Sequence, residues 1–124
     1  MKKVVCIDDS EIDISIESQV VRRSGFAETV QTFTDARIAL NWFKSTDQQV
    51  DLVLLDINMP VMNGFQFLEE FSHLKIVGTV EVCFITTSER TEEIERAASL
   101  GAKFLVKPLT RKKFQGLVNE IFVS

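Results

Sequence analysis

Three carboxylates stand at the ends of two apolar runs. Asp8 and Asp9 follow Val4-Val5-Cys6-Ile7, and Asp56 follows Val50-Asp51-Leu52-Val53-Leu54-Leu55. If the two runs are neighbouring parallel strands, the three acids meet at one sheet edge. Like charges so close raise one another's pKa and resist joint ionisation, and a divalent cation is the simplest remedy. Asp8 and Asp9 offer the hard oxygen ligands that Mg2+ takes, with Mn2+ an acceptable substitute. Asp56 is the nucleophile candidate, because a carboxylate attacks phosphorus to give an acyl phosphate. Phosphoryl transfer needs little more than positioning and neutralisation of charge on the equatorial oxygens. Lys107, held extended by the following Pro108, would add positive charge, and Thr86 would offer a hydroxyl to a phosphoryl oxygen.

These groups need elements that bring them to one face. Short β-branched runs alternate with stretches of helical period, the pattern of βαβ units and a parallel sheet. The first strand is expected over about residues 3 to 8. Ser10, with Asp13 three residues later, opens a helix in which Ile12, Ile16 and Val20 recur every four positions until Gly25 stops it. Residues 29 to 33 alternate in polarity and read as a half-exposed edge strand. Asp35 then caps a helix with Ala36, Ala39, Leu40 and Phe43 on one face. The run at 51 to 56 is apolar on both faces, as befits a central strand. A loop with Pro60 and Gly64 leads into a helix carrying Phe67, Leu68 and Phe71 and ending before Gly78. Residues 80 to 86 form the fourth strand, and Thr91 with Glu92 and Glu93 marks a capped helix start. That helix ends at Leu100-Gly101. Residues 103 to 106 make a short fifth strand, and Phe114, Leu117, Val118, Ile121 and Phe122 stripe a last helix. Ligands of an open parallel sheet bind beyond the carboxyl ends of its strands. Asp8-Asp9, Asp56, Thr86 and Lys107 all stand at such ends.

Size and charge narrow the function classes. A chain of 124 residues with 45% hydrophobic content makes about one domain, and no output domain is expected within it. The 14 Lys and Arg against 18 Asp and Glu give a net charge of -4, which argues against direct nucleic-acid binding. Cys6 and Cys83 lie inside apolar runs without metal-ligand or CxxC spacing and read as buried free thiols. No stretch reaches membrane-spanning length. The basic start Met1-Lys2-Lys3 is followed by too few apolar residues for a signal peptide, so the cytoplasm is the expected compartment.

With these residues in view, the chain resembles a receiver domain of the two-component response regulators, of the single-domain chemotaxis-regulator type, over essentially its whole length. Asp8-Asp9 resembles the family's metal-binding pair, and Asp56-Ile57-Asn58-Met59-Pro60-Val61-Met62-Asn63-Gly64 resembles its phosphoacceptor stretch. The resemblance implies a flavodoxin-like doubly wound (βα)5 α/β fold with five parallel strands in the order 2-1-3-4-5. It implies that Asp56 is phosphorylated by a sensor histidine kinase or histidine phosphotransfer protein. Metal ligands would be Asp8, Asp9, Asp56 and the main-chain carbonyl of Asn58. Thr86 matches the switch hydroxyl, Lys107-Pro108 the phosphoryl-contacting pair, and Phe104 takes the place of the aromatic switch, without the phenol of the commoner Tyr. Thr87 replaces the small Ala that usually follows the switch threonine. A downstream protein would read the face made by the fourth helix, fifth strand and fifth helix, with the chain a monomer or a phosphorylation-dependent dimer.

Other readings compete. A Mg2+-dependent aspartyl-phosphate phosphatase would share the nucleophile and the lysine, but it predicts a second acid where Asn58 stands. A flavin-binding module would share the fold, but needs a glycine-rich phosphate cradle that Asp8-Asp9 would repel. An unphosphorylated structural receiver would have lost some of the acids, and none is missing. Arg111-Lys112-Lys113 crowds cations into a first helical turn, against the dipole preference; a solvated face and a docking patch for an acidic partner both account for it. His73, the sole histidine, reads as a surface residue, and Trp42 as partly exposed beside the core.

Overall fold

The computed structural model describes residues 2–76 and 78–122. Strands and helices alternate throughout: β1 (Lys3–Ile7), α1 (Glu11–Ser24), β2 (Thr29–Phe33), α2 (Ala36–Ser45), β3 (Leu52–Leu55), α3 (Gly64–Ser72), β4 (Glu81–Thr86), α4 (Thr91–Ser99), β5 (Lys103–Val106) and α5 (Arg111–Phe122). The strands form one parallel sheet in the expected order, β2-β1-β3-β4-β5. Its register matters for function. Ile7 pairs with Leu55, so the next residues, Asp8 and Asp56, leave the sheet side by side. The Asp56 N–H donates to the Ile7 carbonyl at 2.9 Å and the Lys107 N–H to the Thr86 carbonyl at 2.7 Å, extending the ladder to Asp56 and Lys107.

Alternate residues of each strand face opposite sides, and both sides are covered. Val5, Ile7, Val53, Leu55, Val82 and Phe84 pack beneath α2, α3 and α4, with Phe43, Phe67 and Phe71 from the helices. Val4, Cys6, Leu52, Leu54, Cys83 and Ile85 pack beneath α1 and α5, with Phe114 and Leu117. Cys6 and Cys83 are buried free thiols, and burial pushes both well above the ordinary thiol range. Among the described residues no helix is long and apolar enough to cross a membrane.

Two helices depart from their expected patterns. Of the series Ile12, Ile16, Val20, only Val20 packs partly buried against the core; Ile12 and Ile16 are exposed, Ile12 at 75%. The buried residues are Ile14, Glu17, Ser18 and Val21. Two of these are polar, so a search for apolar period selects the wrong series. The Ser18 hydroxyl satisfies itself on the Ser15 carbonyl, 3.1 Å away, whereas Glu17 faces the acids. α4 begins at Thr91, not after it, and its N-cap Arg90 makes no capping hydrogen bond. α3 ends before Gly78 as expected, at Ser72, with the exposed His73 as its C-cap.

Candidate functional site

The carboxyl ends of β1 and β3 hold the acids at close quarters. Carboxylate oxygens of Asp8, Asp9 and Asp56 lie within 4.8 Å of one another. Asp8 is fully buried, Asp56 is 5% exposed and Asp9 is exposed. Asp8 Oδ1 accepts the Ser10 N–H at 2.9 Å. Its Oδ2 is buried with no hydrogen-bond donor in good geometry; the ammonium of Lys107 lies 2.7 Å away as an ion-pair partner. Lys107 itself is shared, with Asp13 Oδ2 at 2.9 Å and Asp56 Oδ1 at 3.6 Å. One cation thus serves three carboxylates.

The charges respond to this crowding. Burial, then the charge of Asp8, push the Asp56 carboxyl up to about 7 against the opposing pull of Lys107. Burial also opposes the Lys107 charge, but its pairing with Asp8 and Asp13 outweighs that and holds the ammonium above the usual lysine range. Glu17 is 2% exposed on α1; burial first, then the neighbouring Asp8, push its carboxyl up to about 9. At neutral pH the Glu17 carboxyl is therefore protonated and adds no further negative charge beside Asp8. A divalent cation fits this donor set: hard oxygens, one of them buried and without a hydrogen-bond donor, in an excess that one lysine does not balance.

Thr86 and Asn58 stand together at the neighbouring strand end. Thr86 ends β4 fully buried, and its Oγ1 accepts the Ser88 N–H at 3.2 Å. The Asn58 side chain donates to that same oxygen at 3.4 Å, which links the loop after β3 to the end of β4. The loop folds back onto β3 through Gly64 N–H to Ile57 carbonyl at 2.9 Å. A Cβ on Gly64 would run into the Asp56 carbonyl, so only glycine permits this approach. The loop also holds Val61 at φ 69°, a strained setting for a β-branched residue. Asn63 and Gln66 then form a capping box that starts α3. Phe104 stands apart from the acids. It is half-buried on β5 and lines a groove of about 520 Å³ with Ile94, Ala98, Lys112 and Gly116. Trp42 is half-buried between Phe33 and Phe43, away from the acids.

Three contributors escape the sequence reading. Asp13, expected to complete a capping box with Ser10, does not: its N–H bonds Ser10 Oγ at 3.2 Å, but the Ser10 N–H is taken by Asp8 and the Asp13 carboxylate goes to Lys107. Glu17 lies one turn beyond it. Acids at i and i+4 on one helix share a face, and that spacing is the signal that points to both. Lys113, one of the three cations at the start of α5, is no solvated charge; its ammonium donates to the Val106 carbonyl at 2.7 Å and the Pro108 carbonyl at 3.2 Å. It clamps the backbone on both sides of Lys107.

Comparison with known proteins agrees with this geometry. Residues 4–119 match the response regulator receiver domain. The chain is 34% identical over 112 residues to the chemotaxis protein CheY of Treponema pallidum, covering 90% of this chain and 76% of that protein. A response regulator receiver protein from Dyadobacter fermentans has a TM-score of 0.86 at 25% identity, with all of both chains covered. A chain of the CheX-CheY-BeF3-Mg2+ complex from Borrelia burgdorferi has a TM-score of 0.84 at 27% identity over 99% of this chain and 90% of that one. Protein-glutamate methylesterases/protein-glutamine glutaminases are also similar, although the chain spans only 29% of the length of one from Cupriavidus metallidurans. A match that runs from β1 into α5 takes in every residue of the acidic site, and the chain belongs to the response regulator receiver domain family.

Proposed function

We infer that the chain is a phospho-accepting switch in which Asp56 takes a phosphoryl group from a sensor histidine kinase or histidine phosphotransfer protein. The observation that carries this reading is the convergence of Asp8, Asp9 and Asp56 within 4.8 Å around a single lysine. An Asp56 carboxylate oxygen attacks the phosphorus of a phosphohistidine and an O–P bond forms. The P–N bond breaks, and its electron pair leaves on an imidazole already protonated at its other nitrogen, so a neutral imidazole departs. Lys107, 3.6 Å from Asp56, reaches the phosphoryl oxygens by a small turn of its side chain. A divalent cation, Mg2+ or Mn2+, held by Asp8, Asp9, Asp56 and the main-chain carbonyl of Asn58, supplies charge neutralisation at those oxygens when bound.

Readout would follow from Thr86. Its hydroxyl bonds an arriving phosphoryl oxygen and leaves Asn58 and the Ser88 N–H, and the half-buried Phe104 ring repacks beside α4. The groove beside α4, β5 and α5 then presents an altered surface to a downstream protein or to a second copy of the chain. The only chemistry is the chain's own phosphorylation and dephosphorylation, in the cytoplasm, without direct contact with nucleic acid or insertion into a membrane. The phosphatase alternative is disfavoured because the place of its second acid is Asn58, whose amide faces Thr86. Incubation with phosphoramidate and Mg2+ followed by intact-mass measurement tests the reading: one phosphoryl group is expected on the native chain and none on Asp56→Asn or in the presence of EDTA. An unmodified native chain contradicts it.

A further inference from the structure

Lys107 is held more tightly at rest than its role requires. Two of its three N–H donors face carboxylates, Asp8 at 2.7 Å and Asp13 at 2.9 Å, while Asp56 lies at 3.6 Å, beyond good hydrogen-bond length. Asp13 stands outside the three-acid cluster. Its carboxylate is free of the helix cap, because Asp8 takes the Ser10 N–H that a capping box would assign to it. The Asp13 backbone is fixed by Ser10 Oγ, and the Lys107 backbone is clamped by Lys113 on both sides. Only side-chain rotation can move the ammonium. A phosphoryl group on Asp56 and the Asp13 carboxylate would therefore draw on the same ammonium.

We propose that Asp13 is a positioning residue that latches Lys107 in the unphosphorylated chain and competes with the phosphoryl group for its ammonium, so that it restrains both phosphorylation and the lifetime of the phosphorylated state. This rests on Asp56 being the phosphoacceptor. Asp13 is partly exposed, with a side chain 35% accessible, so the pair is screened and its effect modest. Neutralising it is expected to raise beryllofluoride affinity and the phosphoramidate reaction rate roughly fivefold, the scale of a partly exposed ion pair.

The test is a cycle of native chain, Asp13→Asn, Lys107→Met and the double variant, with Asp13→Glu as rescue. Beryllofluoride binding in Mg2+ is followed by fluorine NMR, phosphorylation by intact mass, and folding by urea melts. The expected result is a gain of about fivefold in both functional readouts for Asp13→Asn, near-native values for Asp13→Glu, and no gain from Asp13→Asn when Lys107 is Met. A merely structural role for Asp13 would move the urea midpoint without the gain, and overturns the latch. An equal gain in the Lys107→Met background shows general charge repulsion instead, and also overturns it. Phosphorylation of the native chain combined with no effect of Asp13→Asn sinks the latch alone; absence of any phosphorylation or beryllofluoride binding by the native chain sinks the phosphoacceptor reading and the latch with it.

Discussion

β3 and β5 are both four-residue strands of the same parallel sheet, yet every residue of β3 is buried and every residue of β5 only half-buried. The helices that follow differ in the same sense. α3 starts with a capping box and buries Gly64, Phe65, Phe67 and Phe71, whereas α4 starts uncapped and buries Ala97 alone. The acids stand on the well-packed half, and the groove lined by Phe104 lies on the loose half. Packing on one side keeps mutually repelling charges in register; sparse packing on the other lets a small change in free energy rearrange a surface. The two halves meet through Thr86, which ends β4, and through the Thr86 carbonyl that holds Lys107.

The largest expected difference lies between two rings paired across the sheet. Phe84 on β4 pairs in register with Phe104 on β5. Phe84→Ala is expected to cost about 4 kcal/mol and Phe104→Ala only about 1 kcal/mol in urea unfolding; equal losses would mean that the β5 side is as tightly built as the rest. Next in size is Gly64→Ala. Its methyl group meets the Asp56 carbonyl, and a loss of about 3 kcal/mol is expected together with slower phosphorylation, because the same backbone carries Asp56, the proposed phosphoacceptor.

The pH dependence of stability probes the acidic half alone. Asp56 at about 7 and Glu17 at about 9 both lie above their unfolded values of about 3.9 and 4.3, so the folded chain keeps protons that the unfolded chain releases. Their contribution is complete below about pH 4 and is lost as pH rises, through about 7 for Asp56 and about 9 for Glu17. Urea melts in EDTA should show stability falling by at most ~1.4 kcal/mol per pH unit for each group. Glu17→Gln should flatten the upper part of that fall. Since a cation and a proton compete for Asp56, Mg2+ should bind more tightly, and stabilise more, as pH rises from about 6 to about 8. The smallest expected effect belongs to the loose half: Arg90→Ser supplies the missing cap of α4 and should add about 1 kcal/mol, with slower amide exchange confined to α4 and its neighbours.

Much of this arrangement is legible in the residues themselves. Apolar runs ending in Asp8-Asp9, Asp56, Thr86 and Lys107 disclose both the strands and the face at which they meet, because a strand buried on two sides leaves few other patterns. α1 is not legible in the same way. Its buried face contains Glu17 and Ser18, so Ile12 and Ile16 of the apolar series point to solvent. The Asp13–Lys107 pair joins residues 94 positions apart and needs α1 and β5 to be in place before it can be seen. Lys113 has the look of a surface charge until the carbonyls on either side of Lys107 are found around it. Long flexible side chains find partners by reach, which local spacing does not record.

Reductive trapping of the phosphorylated chain tests most directly that Asp56 is the acceptor. Borohydride converts an aspartyl phosphate to homoserine and leaves free carboxylates untouched, so peptide mapping after reaction with phosphoramidate and Mg2+ reads the position of the acyl phosphate. Homoserine at position 56, and at no other acid, is the predicted result. Homoserine at Asp8, Asp9 or Asp13 in place of Asp56, or an unmodified peptide spanning Asp56 in a phosphorylated chain, would contradict it.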